Sequence, residues 1–159
     1  MNLYLIRHGN AEKAGLNKSD FERELTEEGR QKLERAVKYW KNLIPEFDFI
    51  ITSPLIRAKQ TAEIIFKSFN SKHEIIIENT LKNGSETADI LNIVNSLNGD
   101  NIALVGHQPD FSYHLSNLIS SGSASLDFKK GAIAEVSFDG KAKLNRGMLE
   151  FLIPTGAFK

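Results

Sequence analysis

The chain has 159 residues, 41% hydrophobic and 25% charged, the proportions of a soluble globular protein with room for a sizeable core. Twenty Lys and Arg balance twenty Asp and Glu, so no overall field draws nucleic acid or an anionic membrane surface, and any anion site must be local. Cysteine is absent, which excludes disulfides, thiolate catalysis and Cys-based zinc centres.

The stretch 3–10, Leu3-Tyr4-Leu5-Ile6-Arg7-His8-Gly9-Asn10, opens with four mostly apolar residues that predict a strand buried on both faces. Arg7, His8 and Gly9 fall where that strand ends. A strand beginning at residue 2 or 3 leaves no room for a signal peptide, and no apolar run reaches the length of a membrane span. A cytoplasmic protein with neither membrane nor nucleic acid as partner is therefore expected.

Residues 9–25, with Gly9, Gly15, Asn17, Ser19 and several charges, read as a long polar loop. Such loops are uncommon in small domains and are often functional. Thr26 is expected to cap a helix with Glu27 and Glu28 in its first turn. Leu33, Ala36, Val37, Trp40 and Leu43 would form its apolar stripe and Pro45 its end. Residues 47–52 read as a second strand. Ser53 and Pro54 then read as the cap and first residue of a second helix. Its buried side would hold Ala58, Ala62, Ile65, Phe66 and Phe69, with Arg57 a partly exposed side chain about one turn in.

Residues 75–78 form a short third strand, and Asn83-Gly84-Ser85 leads into a helix carrying Ile90, Leu91, Val94 and Leu97. Asn98-Gly99-Asp100 ends it. Residues 102–105 are another buried strand, which Gly106-His107-Gln108-Pro109 turns into a helix with Phe111, Leu115, Leu118 and Ile119. A flexible joint is expected at 122–125. Residues 132–138 alternate as a strand, Asp139-Gly140 signals a hairpin turn, and 144–153 returns as one or two strands with a kink at Arg146-Gly147. Strands alternating with helices predict an α/β fold. It would be a three-layer sandwich with a mostly parallel central sheet and an antiparallel C-terminal edge, as one domain over 1–159.

In open α/β sheets ligands sit at the carboxyl ends of the strands. Arg7 with His8, Arg57 and His107 each follow an apolar strand of this chain. A phosphoryl group offers negative charge and accepting oxygens, which guanidinium forks grip and helix-start N–H groups can cradle. Its transfer needs placement, neutralisation of oxygen charge and an in-line nucleophile. A neutral imidazole suits that last role better than water, and no metal-ligand set is evident. Taken singly, each piece has a plain structural reading: a solvated strand end, a surface ion pair, a hydrogen-bonded loop histidine. Their joint occurrence makes the case for a two-step transfer through a phosphohistidine. His73 and His114 lack that context.

Leu5-Ile6-Arg7-His8-Gly9 resembles the Arg-His-Gly signature of the histidine phosphatase superfamily, the phosphoglycerate-mutase-like fold. Leu25-Thr26-Glu27-Glu28-Gly29 resembles the element that opens the family's first helix. Residues 53–62 resemble its second motif, and Val105-Gly106-His107-Gln108-Pro109 its third. The small size and Leu152-Ile153-Pro154 make the chain most similar to the short SixA-like branch, the phosphohistidine phosphatases. The resemblance implies a metal-independent, cofactor-free hydrolase. Its partner would be a phosphorylated protein, a histidine phosphotransfer domain, dephosphorylated through a covalent phosphohistidine on the enzyme. His8 would be the nucleophile, Arg7 and Arg57 the phosphate clamps, and His107 a hydrogen-bond donor to the transition state. Gly9 would let the backbone come close, and Asn10 would add a phosphate contact.

The acidic proton donor of larger relatives has no clean counterpart here; Glu86 is the first candidate and Asp110 the second. A missing acid counts against an ester, whose alkoxide leaving group needs a proton, more than against phosphohistidine. The connection 79–85 is too short for a lid, which implies an open groove. The alternatives are a phosphatase for a small phosphorylated molecule within the same superfamily and a non-catalytic phosphate-binding module.

Overall fold

Alternation along the first strand sets the architecture. In β1 (Asn2–Arg7), Leu3 and Leu5 enter one apolar cluster, and Tyr4 and Ile6 enter another. The computed structural model describes residues 1–15, 18–71 and 73–158; Asn17 of the polar loop lies outside the described residues. In chain order there follow α1 (Glu27–Trp40), β2 (Phe49–Thr52), α2 (Ile56–Phe69), β3 (Ile76–Ile77), α3 (Thr87–Ser96), β4 (Asn101–Gly106), α4 (Asp110–Ile119), β5 (Ile133–Ser137) and β6 (Met148–Ile153).

These strands make one six-stranded sheet in the order β3-β2-β4-β1-β5-β6. β3, β2, β4 and β1 run parallel, β5 is antiparallel to β1, and β6 is antiparallel to β5. The same alternation sorts the central strands. Ile102 and Leu104 of β4 join Leu3 and Leu5 under α3 and α4, whereas Ala103 and Val105 join Tyr4 and Ile6 under α1 and α2. This is the three-layer α/β arrangement with an antiparallel C-terminal edge that the sequence predicts. Among the described residues no helix is long and apolar enough to cross a membrane.

Thr26 caps α1 as expected, its Oγ1 accepting from Gly29 N at 3.0 Å. Gly29 also serves a close approach: a Cβ there would overlap the backbone carbonyl of Asn10. Thr26 N donates to that same carbonyl at 3.0 Å. The start of α1 is thus seated on the segment that leaves β1.

Other boundaries differ from the sequence expectation. α1 ends at Trp40, ahead of Pro45, because Leu43 N and Ile44 N both turn back to Trp40 O. Ile44 is buried by this tighter turn and Leu43 is left 51% exposed, outside the apolar stripe. α2 begins at Ile56, not at Pro54. Ser53 N still donates to Val105 O at 3.0 Å, so the chain keeps strand geometry past the end of β2 and cannot yet coil.

Asp139-Gly140 does not make a tight hairpin turn. The β5–β6 connection runs from 138 to 147 and docks on α4, with Asn145 N donating to Asn117 O and Gly147 N to Leu118 O. Residues 144–147 belong to this connection, and the return is the single strand β6. Residues 122–125 are tied to α4 through Ala124 N and Ser116 Oγ, 2.7 Å apart.

Candidate active site

Register and parity bring two histidines together. Arg7 pairs with Gly106 in the parallel β1–β4 ladder, and His8 N continues it to Gly106 O at 3.0 Å. His8 follows Tyr4 and Ile6 in parity, and His107 follows Ala103 and Val105, so both leave the sheet toward the α1–α2 side. Their ring centroids lie 5.2 Å apart, and both side chains are buried.

α2 covers that same face, and its first turn carries Arg57. Arg57 Nε donates to His8 Nε2 at 3.2 Å. The sequence reading made Arg57 partly exposed; it is 3% exposed. The reason is Asp20, on a short 3₁₀ turn in the polar loop, which closes over the guanidinium. Arg57 Nη1 donates to Asp20 O at 2.6 Å, and Nη2 to Asp20 Oδ2 at 3.0 Å. Arg23 Nη1 takes the other carboxylate oxygen at 2.7 Å. Arg23 first, and Arg57 after it, hold the Asp20 carboxyl below the usual carboxylate range. Sequence reasoning missed Asp20. The available signal was a long polar loop directly after the candidate strand end, which gave the region but not the residue.

The His8 tautomer follows from its partners. Nδ1 lies 2.8 Å from Gly9 O, and a carbonyl only accepts, so Nδ1 carries the proton. Nε2 therefore presents its lone pair, which is where Arg57 Nε–H donates. Burial pushes the His8 pKa down to about 3, and nearby His107, Arg57 and Arg7 add to the fall. The imidazole is neutral near pH 7. His107 is held down to about 4, by burial first and by Arg57 after it. Its Nε2 lies 2.8 Å from Ser53 Oγ, while its Nδ1 is buried without a partner.

Arg7 anchors one nitrogen, Nη1, on Phe128 O at 2.8 Å, and its Nε is likewise buried without a partner. Gly9 N donates to Thr61 Oγ1, which in turn donates to Arg57 O, so α2 and the strand exit are tied together. A Cβ on Gly9 would stand 3.2 Å from Leu25 Cδ2, so its small size is used in packing on Leu25.

The remaining sequence candidates stand apart. Asn10 Oδ1 accepts from Lys130 Nζ at 3.1 Å, and the Asn10 carbonyl is taken by Thr26. Glu86 is exposed before α3 and accepts from Tyr113 Oη; Asp110 Oδ2 accepts from Gly84 N. Among the described residues, neither acid hydrogen-bonds to His8, Arg7, Arg57 or His107. His73 stacks on Phe49, and His114 binds hydroxyls through both nitrogens. Among the described residues there is no group of three or more His, Asp or Glu placed to hold a metal ion.

The arrangement combines a neutral imidazole whose Nε2 lone pair is held by a guanidinium N–H, a further guanidinium nearby, and a second buried imidazole. It can attack an electrophilic centre that carries negative oxygens and can neutralise the charge that builds on them.

The sequence profile of the histidine phosphatase superfamily (branch 1) matches residues 3–85. An uncharacterised protein of Picosynechococcus sp. is 34% identical over 112 residues, 69% of this chain and 68% of that protein. The structure of the protein histidine phosphatase SixA complexed with tungstate is similar with a TM-score of 0.88 at 22% identity, over 100% of both chains. A phosphoserine phosphatase mutant from Entamoeba histolytica, in complex with phosphoserine, is similar with a TM-score of 0.74 at 18% identity, over 97% of each chain. At such identities the two structures speak to the fold, which is the phosphoglycerate-mutase-like one.

Proposed function

The chain belongs to the histidine phosphatase superfamily and is a phosphatase-type hydrolase, and from that premise we propose that it dephosphorylates phosphohistidine on a phosphotransfer protein by way of a phosphoenzyme on His8. The observation that carries this reading is the fixed His8 tautomer, Nδ1–H on Gly9 O and the Nε2 lone pair beside Arg57.

In the first step His8 Nε2 attacks phosphorus. The Nε2–P bond forms, and the P–N bond to the substrate imidazole breaks. When the substrate ring carries a proton on its other nitrogen, it leaves as neutral imidazole, and the positive charge passes to the phosphorylated His8 ring. No proton has to come from the protein. Arg57 Nε–H, which loses its acceptor when Nε2 bonds to phosphorus, is freed for a phosphoryl oxygen. Arg7 Nε and His107 Nδ1 are buried nitrogens without a partner, and face the remaining oxygens as candidate contacts. In the second step water attacks phosphorus, the electron pair of the P–N bond returns to Nε2, and the water proton leaves with the phosphate.

The acids favour phosphohistidine over an ester. An alkoxide leaving group needs a proton donor. Among the described residues, the carboxylate bound to this cluster is Asp20, and Arg23 and Arg57 keep it ionised. The decisive experiment offers a phosphorylated histidine phosphotransfer domain beside a panel of phosphate esters. Rapid loss of phosphohistidine with slow ester turnover, and a labelled phosphoenzyme absent from His8→Ala, is the expected result. Fast turnover of a small ester without phosphohistidine hydrolysis would overturn the substrate assignment; full activity in His8→Ala would overturn the covalent route.

A further inference from the structure

Deepening that reading, we propose that Ser53 is a positioning residue: its hydroxyl donates to His107 Nε2 and so fixes His107 as the Nδ1–H tautomer, the form able to donate to a phosphoryl oxygen. Strand order makes the arrangement possible. β4 lies between β2 and β1 in the sheet. His107 therefore leaves the sheet with Ser53 on one side, beyond β2, and His8 on the other, beyond β1. The backbone ladder reaches both neighbours, through Ser53 N to Val105 O and His8 N to Gly106 O.

Proton accounting then selects the tautomer. Ser53 is 0% exposed, so its hydroxyl proton needs a protein acceptor. Its oxygen already receives Leu55 N–H at 3.4 Å and lies 2.8 Å from His107 Nε2. If Nε2 carried the ring proton, Ser53 Oγ would face two donors and its own hydrogen would be stranded in the core. Donation from Ser53 to Nε2 avoids this and places the ring proton on Nδ1. That nitrogen is the buried one with no partner, on a ring 5.2 Å from His8. Burial keeps the ring neutral, so its donor side is a matter of tautomer, which a single neighbouring hydroxyl can set.

The late start of α2 is compatible with this use of Ser53. Held in the strand ladder through Ser53 N, the residue stands ahead of the helix, where its oxygen accepts Leu55 N–H and its hydroxyl proton is free for His107.

Two-bond ¹H–¹⁵N correlation spectra of the native protein at about pH 7 read the tautomer directly, whatever the substrate proves to be. A protonated Nδ1 and an unprotonated Nε2 on His107 are expected; a protonated Nε2 overturns the proposal even in a fully active phosphatase. In Ser53→Ala the kcat for phosphohistidine should fall about tenfold with KM little changed, short of the ~10²-fold expected when a transition-state donor is lost outright. An unchanged kcat, or a His107 tautomer identical in Ser53→Ala and the native chain, would also overturn it. Failure to hydrolyse phosphohistidine at all would sink the proposed substrate and leave the tautomer result standing.

Discussion

Two buried histidine clusters sit on opposite sides of the sheet, and only one resembles a reaction centre. His114, on α4, is held by Thr87 Oγ1 at Nδ1 and Ser85 Oγ at Nε2, and Asn117 Nδ2 donates to Thr87 Oγ1. Burial pushes its pKa down to about 4, the same value and the same leading cause as for His107. Depth and a depressed pKa therefore do not distinguish the clusters. What does is completeness. Every ring nitrogen of His114 is matched by a neutral hydroxyl, so the cluster is closed and serves to join α3 to α4. Around His8 and His107 stand the guanidinium groups of Arg7 and Arg57, and the His107 Nδ1 and Arg7 Nε hydrogen-bonding capacity is unspent. An anion would complete the second cluster and has nothing to complete in the first.

That contrast is broken most easily by replacing one histidine from each side. His8→Ala should lower turnover by at least ~10⁴-fold, the scale of losing a nucleophile. His114→Ala should leave turnover within a few-fold. Comparable losses in both would show that the closed cluster takes part in the chemistry.

Acidification should strike both clusters alike. His8, His107 and His114 have folded pKa values of about 3, about 4 and about 4, against 6.5 in the unfolded chain. Between those limits the unfolded chain binds more protons. Stability from these groups is thus fully present above about pH 6.5 and is lost progressively as pH falls toward 4. Thermal melts across this range should show it, and His114→Ala should shallow the slope as much as His107→Ala does.

Arg57→Lys keeps a charge but loses the Nε–H that meets His8, and should cost about 10²-fold in kcat with the fold intact by circular dichroism. In the closed cluster, Thr87→Val removes an acceptor for Asn117 and a partner for His114, and about 1–3 kcal/mol of stability should go with them. Activity at temperatures below the melt should not change. The smallest effect is expected for Asp20→Asn, which keeps an oxygen for Arg57 and removes the charge. Turnover should fall by roughly tenfold or less, while inhibition by a phosphate-like oxyanion such as tungstate should strengthen, since a competing carboxylate charge is gone.

Much of this was legible beforehand, and the reasons are local. Leu3, Tyr4, Leu5 and Ile6 announce a strand buried on both faces, and parity along it decides which way His8 leaves. Thr26 announces α1 because a capping hydroxyl acts within a few residues. Ser53 was misread because its backbone is still held in the strand ladder and its side chain lies against a histidine 54 residues away. Asp20 escaped notice for a similar reason: it meets Arg57 across 37 residues, from a loop with no periodicity to betray its direction. Glu86 had the right chemistry for a proton donor and the wrong neighbours, since the start of α3 directs it to Tyr113.

The pairing of β1 with β4 has one last consequence. His8 and His107 are not carried on separate loops but on the first residues beyond two adjacent, hydrogen-bonded central strands. The spacing of these two rings is then set by the middle of the sheet, the kind of element that opens at close to the global unfolding free energy. Loss of turnover and loss of secondary structure in urea should coincide at one midpoint, with no denaturant range in which the chain is folded but idle.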